Sequence, residues 1–289
     1  MYLLDPKIDV IFKIIFSDES VESKKALINL LNAIIKPEDL ITDVVYKNPY
    51  TAKEYKQQKE SIMDIKVITQ SGELIDIEMQ INDVDSFRKR ALTLWSNMYS
   101  TQLEKGDAYE ENKKCIFISI LDFNLLKETD NWHSKFVIME SDKKFEFSED
   151  LEMHFLELKK FKIFKDSKEI PRDTLARWMA FFKYADNEDM KHILEKIEQE
   201  EEGIAMAGSI LRKVSQDEKA RALYEDRMTW LRDTNSNLKR AKKEGIEEGM
   251  KEGEILRAKK IAKNLLKTGM TLEKIVETTG LTSAEIQAL

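Results

Sequence analysis

The segment from Glu60 to Asn82 has the most restrictive pattern in the chain, because its residue order favours a β-hairpin over other local structures. Ser61 to Thr69 alternates and is rich in β-branched residues, and Glu73 to Ile81 alternates strictly between apolar and polar side chains. Gln70 to Gly72, between them, consists of turn-forming residues. The polar face of the second strand carries two carboxylates and an amide, which are Asp76, Glu78 and Gln80.

The loop length decides which residues of the two strands face each other. A three-residue loop with Gly72 at its third position is a common hairpin connection, since that position needs a left-handed backbone. Such a loop places Asp64 opposite Glu78 and Ile62 opposite Gln80, with the Cβ atoms of facing residues about 5 Å apart. A two-residue loop would move the two carboxylates to different faces. The predicted site therefore depends on the three-residue loop.

Two carboxylates at this separation repel each other unless a cation or a shared proton lies between them. Mg²⁺ prefers oxygen ligands and is usually held by one or two protein carboxylates together with water and substrate phosphate. A bound metal can activate water and neutralise charge on a phosphodiester. We therefore predict that Asp64 and Glu78 bind Mg²⁺ or another divalent cation, such as Mn²⁺ or Ca²⁺. The alternative interpretation is a solvated strand face that carries a few acidic residues.

The order of Asp64, thirteen residues, and then Glu78-Met79-Gln80 is similar to the motif of the PD-(D/E)XK nuclease superfamily, in a form with Gln in place of the usual Lys. The surrounding sequence resembles the Rpn family of recombination-promoting nucleases, also described as transposases. The matching residues occur in order and with similar gaps from about Leu4 to Asp186. They are Leu4-Asp5-Pro6, Asp9 to Phe16, Leu30 to Ile35, Arg90, Tyr99, Gly106, Tyr109, Phe155 to Phe161 and Trp178.

This resemblance implies an α/β fold with a restriction-endonuclease-like mixed sheet flanked by helices, followed by a helical C-terminal extension. The order of predicted elements agrees with such a core, because a helix precedes three strands, and a helix and further strands follow. The resemblance also implies a metal-dependent DNA endonuclease with a role in recombination or in mobile elements.

Roles for individual residues follow partly from the resemblance and partly from the strand pattern. Gln80 would orient the attacking water or a phosphate oxygen, although an amide carries no charge and cannot fully replace Lys. Lys66 shares the face of Asp64 by alternation, so we expect it to supply the missing cation. Arg90, at the start of the helix after the second strand, would hold a phosphate. Ordinary surface charge is the alternative for Arg90.

Two further residues are candidates because they match the family. Asp9 matches an acidic position of the family motif, and an ion pair with Lys13 four residues later is the alternative. Tyr99 is a candidate substrate-binding residue, and a packing role is its alternative.

His133, His154 and His192 are scattered along the sequence, which argues against a zinc site or a histidine-based catalytic triad.

Length and composition limit the number of domains and exclude several classes of protein. The 289 residues suffice for one large domain with a helical extension or for two domains. A net charge of −7 argues against a uniformly basic DNA-coating protein but allows a local basic patch. The single cysteine, Cys115, allows no disulfide within the chain. The sequence contains neither an apolar stretch of ~18 residues nor a signal-peptide pattern, so we expect a cytoplasmic protein without a membrane span.

We expect three regions: a nuclease-like α/β core over residues 1–165, a helical region packed on it over residues 166–238, and a charged flexible helix with a small helical hairpin over residues 239–289. Three glycines recur every four residues in the last region, at Gly245, Gly249 and Gly253. Aligned glycines allow close approach of a second helix, so a homodimer through this helix is one expectation. The end of the chain resembles half of a helix-turn-helix, although a small hairpin is the favoured interpretation.

The sequence is compatible with two functions from different classes. The first is the metal-dependent DNA endonuclease, and a variant of it acts on RNA, which presents the same phosphodiester to a metal. The second is a catalytically weak or inactive DNA-binding or assembly module of the same fold, which is favoured by Gln80 and by the acidic net charge. Cleavage that depends on a metal would select the first, and DNA binding without cleavage would select the second.

Overall fold

A computed structural model of the chain describes residues 2–47, 64–82, 86–163 and 169–289, and within them a mixed six-stranded sheet with flanking helices. The strands pair in the order β1-β2-β3-β4-β6-β5. Pairs β1/β2, β2/β3 and β5/β6 are antiparallel, whereas β3/β4 and β4/β6 are parallel. The strands are β1 (Val44–Tyr46), β2 (Ile65–Thr69), β3 (Leu74–Gln80), β4 (Cys115–Leu121), β5 (His133–Met139) and β6 (Glu146–Glu157).

Helices make up most of the remaining regular structure. The α-helices of the described residues are α1 (Asp9–Phe16), α2 (Val21–Ile35), α3 (Phe87–Ser100), α4 (Thr174–Tyr184), α5 (Lys191–Glu200), α6 (Glu202–Gln216), α7 (Glu218–Lys267), α8 (Leu272–Thr279) and α9 (Ser283–Gln287). Two short 3₁₀ helices lie at Tyr109–Glu111 and Glu188–Met190. The predicted α/β class, with its mixed sheet, flanking helices and helical C-terminal region, is confirmed.

The central strand β4 is buried on both faces, as its continuous apolar sequence predicts. One face packs against α3, where Phe87 and Ala91 meet Phe117 of β4 and Phe155 of β6. Helix α3 also connects the parallel strands β3 and β4, as such strands require. This connection brings the start of α3 next to the polar face of β3.

Helices α1, α2, α4, α5 and α6 pack on one another, and α1 also lies against β3. The aromatic rings of Phe16, Trp178 and Phe182 contact one another at centroid distances of 5.6–5.9 Å. The Trp178 indole donates a hydrogen bond to Asn29 of α2 at 2.8 Å. These contacts bury the three aromatic side chains where α1, α2 and α4 meet.

The chain divides into two compact units, residues Met1–Arg227 and Met228–Leu289. In the second unit, α8 and α9 pack with the end of α7 around four buried residues: Ala262, Ile275, Leu281 and Ile286. Left-handed glycines end two of the helices, with φ angles of 77° at Gly269 and 70° at Gly280. The predicted region borders after residues 165 and 238 remain predictions. In the described ranges, no helix combines the length and the apolar character needed to cross a membrane.

Candidate active site

The hairpin of β2 and β3 has the register that the three-residue loop predicts. Gly72 has a φ of 90°, its amide donates to the Thr69 carbonyl at 3.0 Å, and the Thr69 amide donates to the Glu73 carbonyl at 3.0 Å. Ile65 faces Ile77, and continuing this register by one residue sets Asp64 opposite Glu78. The predicted register is therefore confirmed for the described residues. The predicted pairing of Ile62 lies outside them.

Glu78 is buried and is held by two donors from different elements. Ser119 of β4, its neighbour in the parallel register, donates to Oε1 at 3.0 Å. Arg90 of α3 lies 3.4 Å from Oε2 through Nη2. Burial raises the pKa of Glu78, although the Arg90 charge and the Ser119 hydrogen bond act in the opposite direction. Both oxygens are thus oriented before any substrate arrives.

The Lys66 ammonium group contacts both Asp64 and Asp76. Lys66 Nζ is 2.9 Å from Asp64 Oδ2 and 3.7 Å from Asp76 Oδ2. The Asp76 side chain is 1% exposed, and among the described residues no hydrogen-bond donor reaches its Oδ1. A buried polar atom left without a partner costs about 1–3 kcal/mol, and more when it is charged. The Asp76 carboxylate is therefore less well satisfied than the Glu78 carboxylate, which has a partner on each oxygen.

The pKa values of Asp76 and Lys66 depend on burial and on the charges beside them. Burial raises the pKa of Asp76 well above its ordinary range, and the nearby Asp64 carboxylate raises it further, while the Lys66 charge lowers it. Burial alone would lower the pKa of Lys66, but the hydrogen bond to Asp64 and the charge of Asp76 raise it overall. Lys66 consequently stays protonated at neutral pH and neutralises part of the acidic charge.

Gln80 belongs to β3, whereas Tyr99 lies on α3. Gln80 ends β3 and is half-buried, and its carbonyl accepts a hydrogen bond from the Asp122 amide at 2.9 Å. Tyr99 stacks on Trp95 and donates a hydrogen bond to Asp150 at 3.0 Å, near the N-terminal end of β4. Four strand residues, roughly 13 Å, separate that end from the position of Glu78. The substrate-binding role of Tyr99 stays a prediction, now with a structural partner.

Asp9 forms a buried ion pair with a residue far along the chain. Both of its carboxylate oxygens contact the Arg227 guanidinium, with a distance of 2.9 Å between Oδ1 and Nε. Oδ1 also accepts a hydrogen bond from the Val10 amide at 2.8 Å. Asp9 therefore ties α1 to the start of α7, and its membership of the site stays a prediction.

The start of α3 carries three consecutive basic residues, and two of them have acidic partners. The Arg88 guanidinium contacts Glu128 with both terminal nitrogens, at 2.9 and 2.7 Å, and Arg90 contacts Glu78. Lys89, between them, is exposed. Only one side of this helix start thus faces the acidic residues of β3.

Comparison with known proteins gave two family matches and no individual relatives. Residues 6–241 match the PD-(D/E)XK nuclease family transposase model, which covers most of the chain. The chain belongs to this family. Residues 256–289 match the C-terminal HTH domain of the Rpn/YhgA-like nuclease family. Neither the comparison with curated proteins nor the comparison with solved structures produced a match.

Membership of the PD-(D/E)XK family confirms the resemblance inferred from Asp64 and Glu78-Met79-Gln80. The second match covers the end of α7 together with α8 and α9, where the sequence favoured a two-helix hairpin. The structure adds a third helix to that pair, because the end of α7 supplies Ala262 to the same core. The family match describes this segment as a helix-turn-helix domain.

PD-(D/E)XK nucleases generally use divalent metal ions, and the donors of this site are of the right chemical type. Asp64, Asp76 and Glu78 offer carboxylate oxygens, which hard cations prefer, and Asp76 Oδ1 is a buried acceptor without a donor in the described part of the chain. Across the same residues, no three Asp, Glu, His or Cys side chains are placed as a ready-made metal site. A bound ion would thus take few protein ligands and leave positions for water and phosphate.

Sequence reasoning missed Asp76 and Ser119 as members of the site. Asp76 shares the alternating polar face with Glu78 and Gln80, so its position was visible in the pattern, but its burial was not. Ser119 is the one hydroxyl in the apolar sequence Cys115–Leu121. A polar residue inside a fully buried strand needs a hydrogen-bond partner, and this requirement could have identified Ser119 from the sequence.

A second polar cluster lies on the opposite face of the sheet from α3, and we name it the histidine–glutamate cluster. Glu152 and His154 alternate along β6 with residues of the α3-facing core. His154 contacts Glu152 at 2.6 Å and His133 at 2.9 Å, and Glu152 also pairs with Lys114 and Lys135 at 2.6 and 3.1 Å. Two histidines scattered in sequence are thus neighbours in the fold.

Two lysines and a histidine surround the one carboxylate of this cluster. Burial by itself raises the pKa of Glu152, but hydrogen bonds from His154, Lys114 and Lys135 lower it to about 2. Burial, followed by the neighbouring His154, lowers the pKa of His133 to about 4. The cluster therefore links β5 and β6 to Lys114, the residue before β4, and it lies apart from the candidate active site.

Proposed function

We propose that this protein is a metal-dependent endonuclease that hydrolyses DNA phosphodiester bonds during recombination or the movement of mobile elements. The observation that carries this proposal is the convergence of acidic and basic side chains on the α3-facing side of β2 and β3. Membership of a nuclease-type transposase family supports nuclease chemistry at this site.

Asp64 and Glu78 would hold the divalent ion, with Mg²⁺ as the expected species. When bound, the ion would supply positive charge against the scissile phosphate and activate water for attack. Ser119 keeps the Glu78 carboxylate in one orientation through its hydrogen bond to Oε1. Gln80 would orient the attacking water or a phosphate oxygen through its amide.

Two cations would act on the phosphate. The Lys66 side chain is 40% exposed and lies on the face of Asp64, so it would provide the positive charge that the family usually takes from the Lys at the position of Gln80. The Arg90 side chain is 46% exposed beside Glu78, and its planar guanidinium suits a phosphate. The matched helix-turn-helix segment supports DNA as the substrate.

Nicking of a supercoiled plasmid tests the proposal. We expect the full-length protein to nick DNA with Mg²⁺ or Mn²⁺ and to lose this activity with EDTA. Asp64→Asn should lower the rate by roughly 100-fold or more, because a charged ligand is replaced by an amide of the same size. Asp130→Asn, an exposed residue in the loop after β4, is the matched control. Equal nicking by the wild type and Asp64→Asn would refute the assignment.

A second candidate function is a DNA-binding or assembly module that keeps this fold without efficient cleavage. Two observations favour it: Gln80 carries no charge, and Arg88 is already paired with Glu128. This function would be favoured over the first if the protein binds DNA without a metal and nicks no DNA with any divalent metal tested.

We also propose that the protein forms a homodimer through α7. From Leu238 onwards this helix exposes several large apolar side chains, namely Leu238, Ile246, Met250 and Leu256. Gly245, Gly249 and Gly253 lie on the same helix, and a Cβ added at any of them would meet nothing within 4 Å. Sedimentation of the full chain and of a chain ending at Leu238 tests this proposal. A monomeric mass for the full chain would reject it.

A further inference from the structure

Asp76 differs from Glu78 in how its carboxylate oxygens are satisfied. Glu78 receives Ser119 on one oxygen and Arg90 on the other. Asp76, which is 1% exposed, has Lys66 at 3.7 Å from Oδ2 and no donor at Oδ1 among the described residues. A desolvated carboxylate of this kind needs a proton or a cation.

The position of Lys66 indicates where a cation fits. Lys66 and Asp76 face each other directly across β2 and β3, and Asp64 lies two residues before Lys66 on the same strand face. The ammonium group is therefore within 4 Å of both aspartates. Because the Lys66 side chain is 40% exposed, it can turn towards solvent without losing a buried packing position.

We propose that Asp76 is a third acidic residue of the metal site, that it binds a divalent cation together with Asp64, and that the entering cation displaces the Lys66 ammonium. The inference rests on the proposed function, and it adds a ligand and an order of events to it. Lys66 holds the two aspartates together before the cation binds. Once displaced, its charge becomes available to the substrate phosphate on the same strand face.

Mn²⁺ binding to the full-length protein tests this inference without relying on activity. Free Mn²⁺ is followed by electron paramagnetic resonance during a titration at neutral pH. Asp76→Asn should weaken binding by roughly tenfold or more, as expected for loss of a group that holds a metal. Lys66→Gln should strengthen binding by roughly 30-fold, because it removes one positive charge about 4 Å from a divalent ion under near-aqueous screening.

Two exposed residues of the loop after β4 provide controls with the same chemical changes. Asp130→Asn and Lys127→Gln should leave Mn²⁺ binding unchanged, since both side chains are exposed outside the site. Thermal unfolding confirms that each variant is folded before the titration. Wild-type Mn²⁺ affinity in folded Asp76→Asn, or unchanged or weaker affinity in Lys66→Gln, would overturn the inference.

The outcomes also separate this inference from the proposed nuclease function. Mn²⁺ binding that depends on Asp76, in a protein that cleaves no DNA, would reject the nuclease and retain the site. Metal-dependent nicking that requires Asp64, with Mn²⁺ binding indifferent to Asp76, would retain the nuclease and reject the third ligand.

Discussion

Two glycines of α6, Gly203 and Gly208, allow a matched test of how tightly the helical region is packed. A Cβ at Gly203 would lie 2.5 Å from Cβ and Cγ of Asn29 in α2. These atoms are fixed close to the α2 backbone, so relief of the clash requires movement of the helix. Asn29 Oδ1 also accepts the hydrogen bond from the fully buried Trp178 at 2.8 Å.

The expected free-energy costs and gains add up to a net loss of stability for Gly203→Ala. Overpacking a closely packed site costs about 1–3 kcal/mol, and loss of the Trp178 hydrogen bond adds about 1 kcal/mol or more. Replacing Gly by Ala in a helix returns at most about 1 kcal/mol. We therefore expect the free energy of unfolding to fall by about 2 kcal/mol.

Gly208→Ala has the same intrinsic gain in the same helix but a different obstacle. Its added Cβ would meet the carboxylate end of Glu198, a flexible side chain that can rotate away. The cost is then the ion pair between Glu198 and the half-exposed Arg212, and such pairs are worth about 0–1 kcal/mol. The two terms nearly cancel, so we expect a change within about 1 kcal/mol.

Urea unfolding followed by tryptophan fluorescence measures both variants against the wild type. We expect a lower urea midpoint for Gly203→Ala with an unchanged slope, and a midpoint near the wild-type value for Gly208→Ala. A Gly203→Ala protein as stable as the wild type would refute the close packing of α2 against α6. So would a larger loss in Gly208→Ala than in Gly203→Ala.

Three further predictions concern the active site and the histidine–glutamate cluster. Ser119→Ala removes the hydrogen bond that orients Glu78, and plasmid nicking should slow by roughly tenfold while the protein stays folded; an unchanged rate would contradict that role. Lys66→Gln should slow nicking by roughly 100-fold, and adding Gln80→Lys to that variant should restore part of the rate; a double variant no faster than the single one would contradict a shared role. The pKa of His133 is depressed in the folded protein to about 4 from about 6.5 when unfolded, so the unfolded state binds more protons between these values. Stability should therefore fall as pH decreases through this window, and His133→Gln should flatten the decrease, as measured by urea unfolding at pH 7, 5.5 and 4.5; an equal slope in both proteins would refute this origin.

Local chemistry determined the hairpin of this protein. Gly72 permits the left-handed backbone of a three-residue loop, and that loop length alone sets Asp64 across from Glu78. Strict alternation assigned Glu78 and Gln80 to one strand face. The loop length and the alternation both act within about twenty residues, so the hairpin can be predicted without knowing how the rest of the chain packs.

Long-range packing decided the partners of these residues. Ser119 lies 41 residues after Glu78 and reaches it because β3 and β4 pair in parallel. Asp9 pairs with Arg227, 218 residues away, and His133 meets His154 across an antiparallel edge pair. Burial of Asp76 likewise depends on how helices cover the sheet. A strand pattern specifies which face a side chain takes, whereas the neighbours on that face, and their effect on its charge, depend on elements brought together only when the whole sheet assembles.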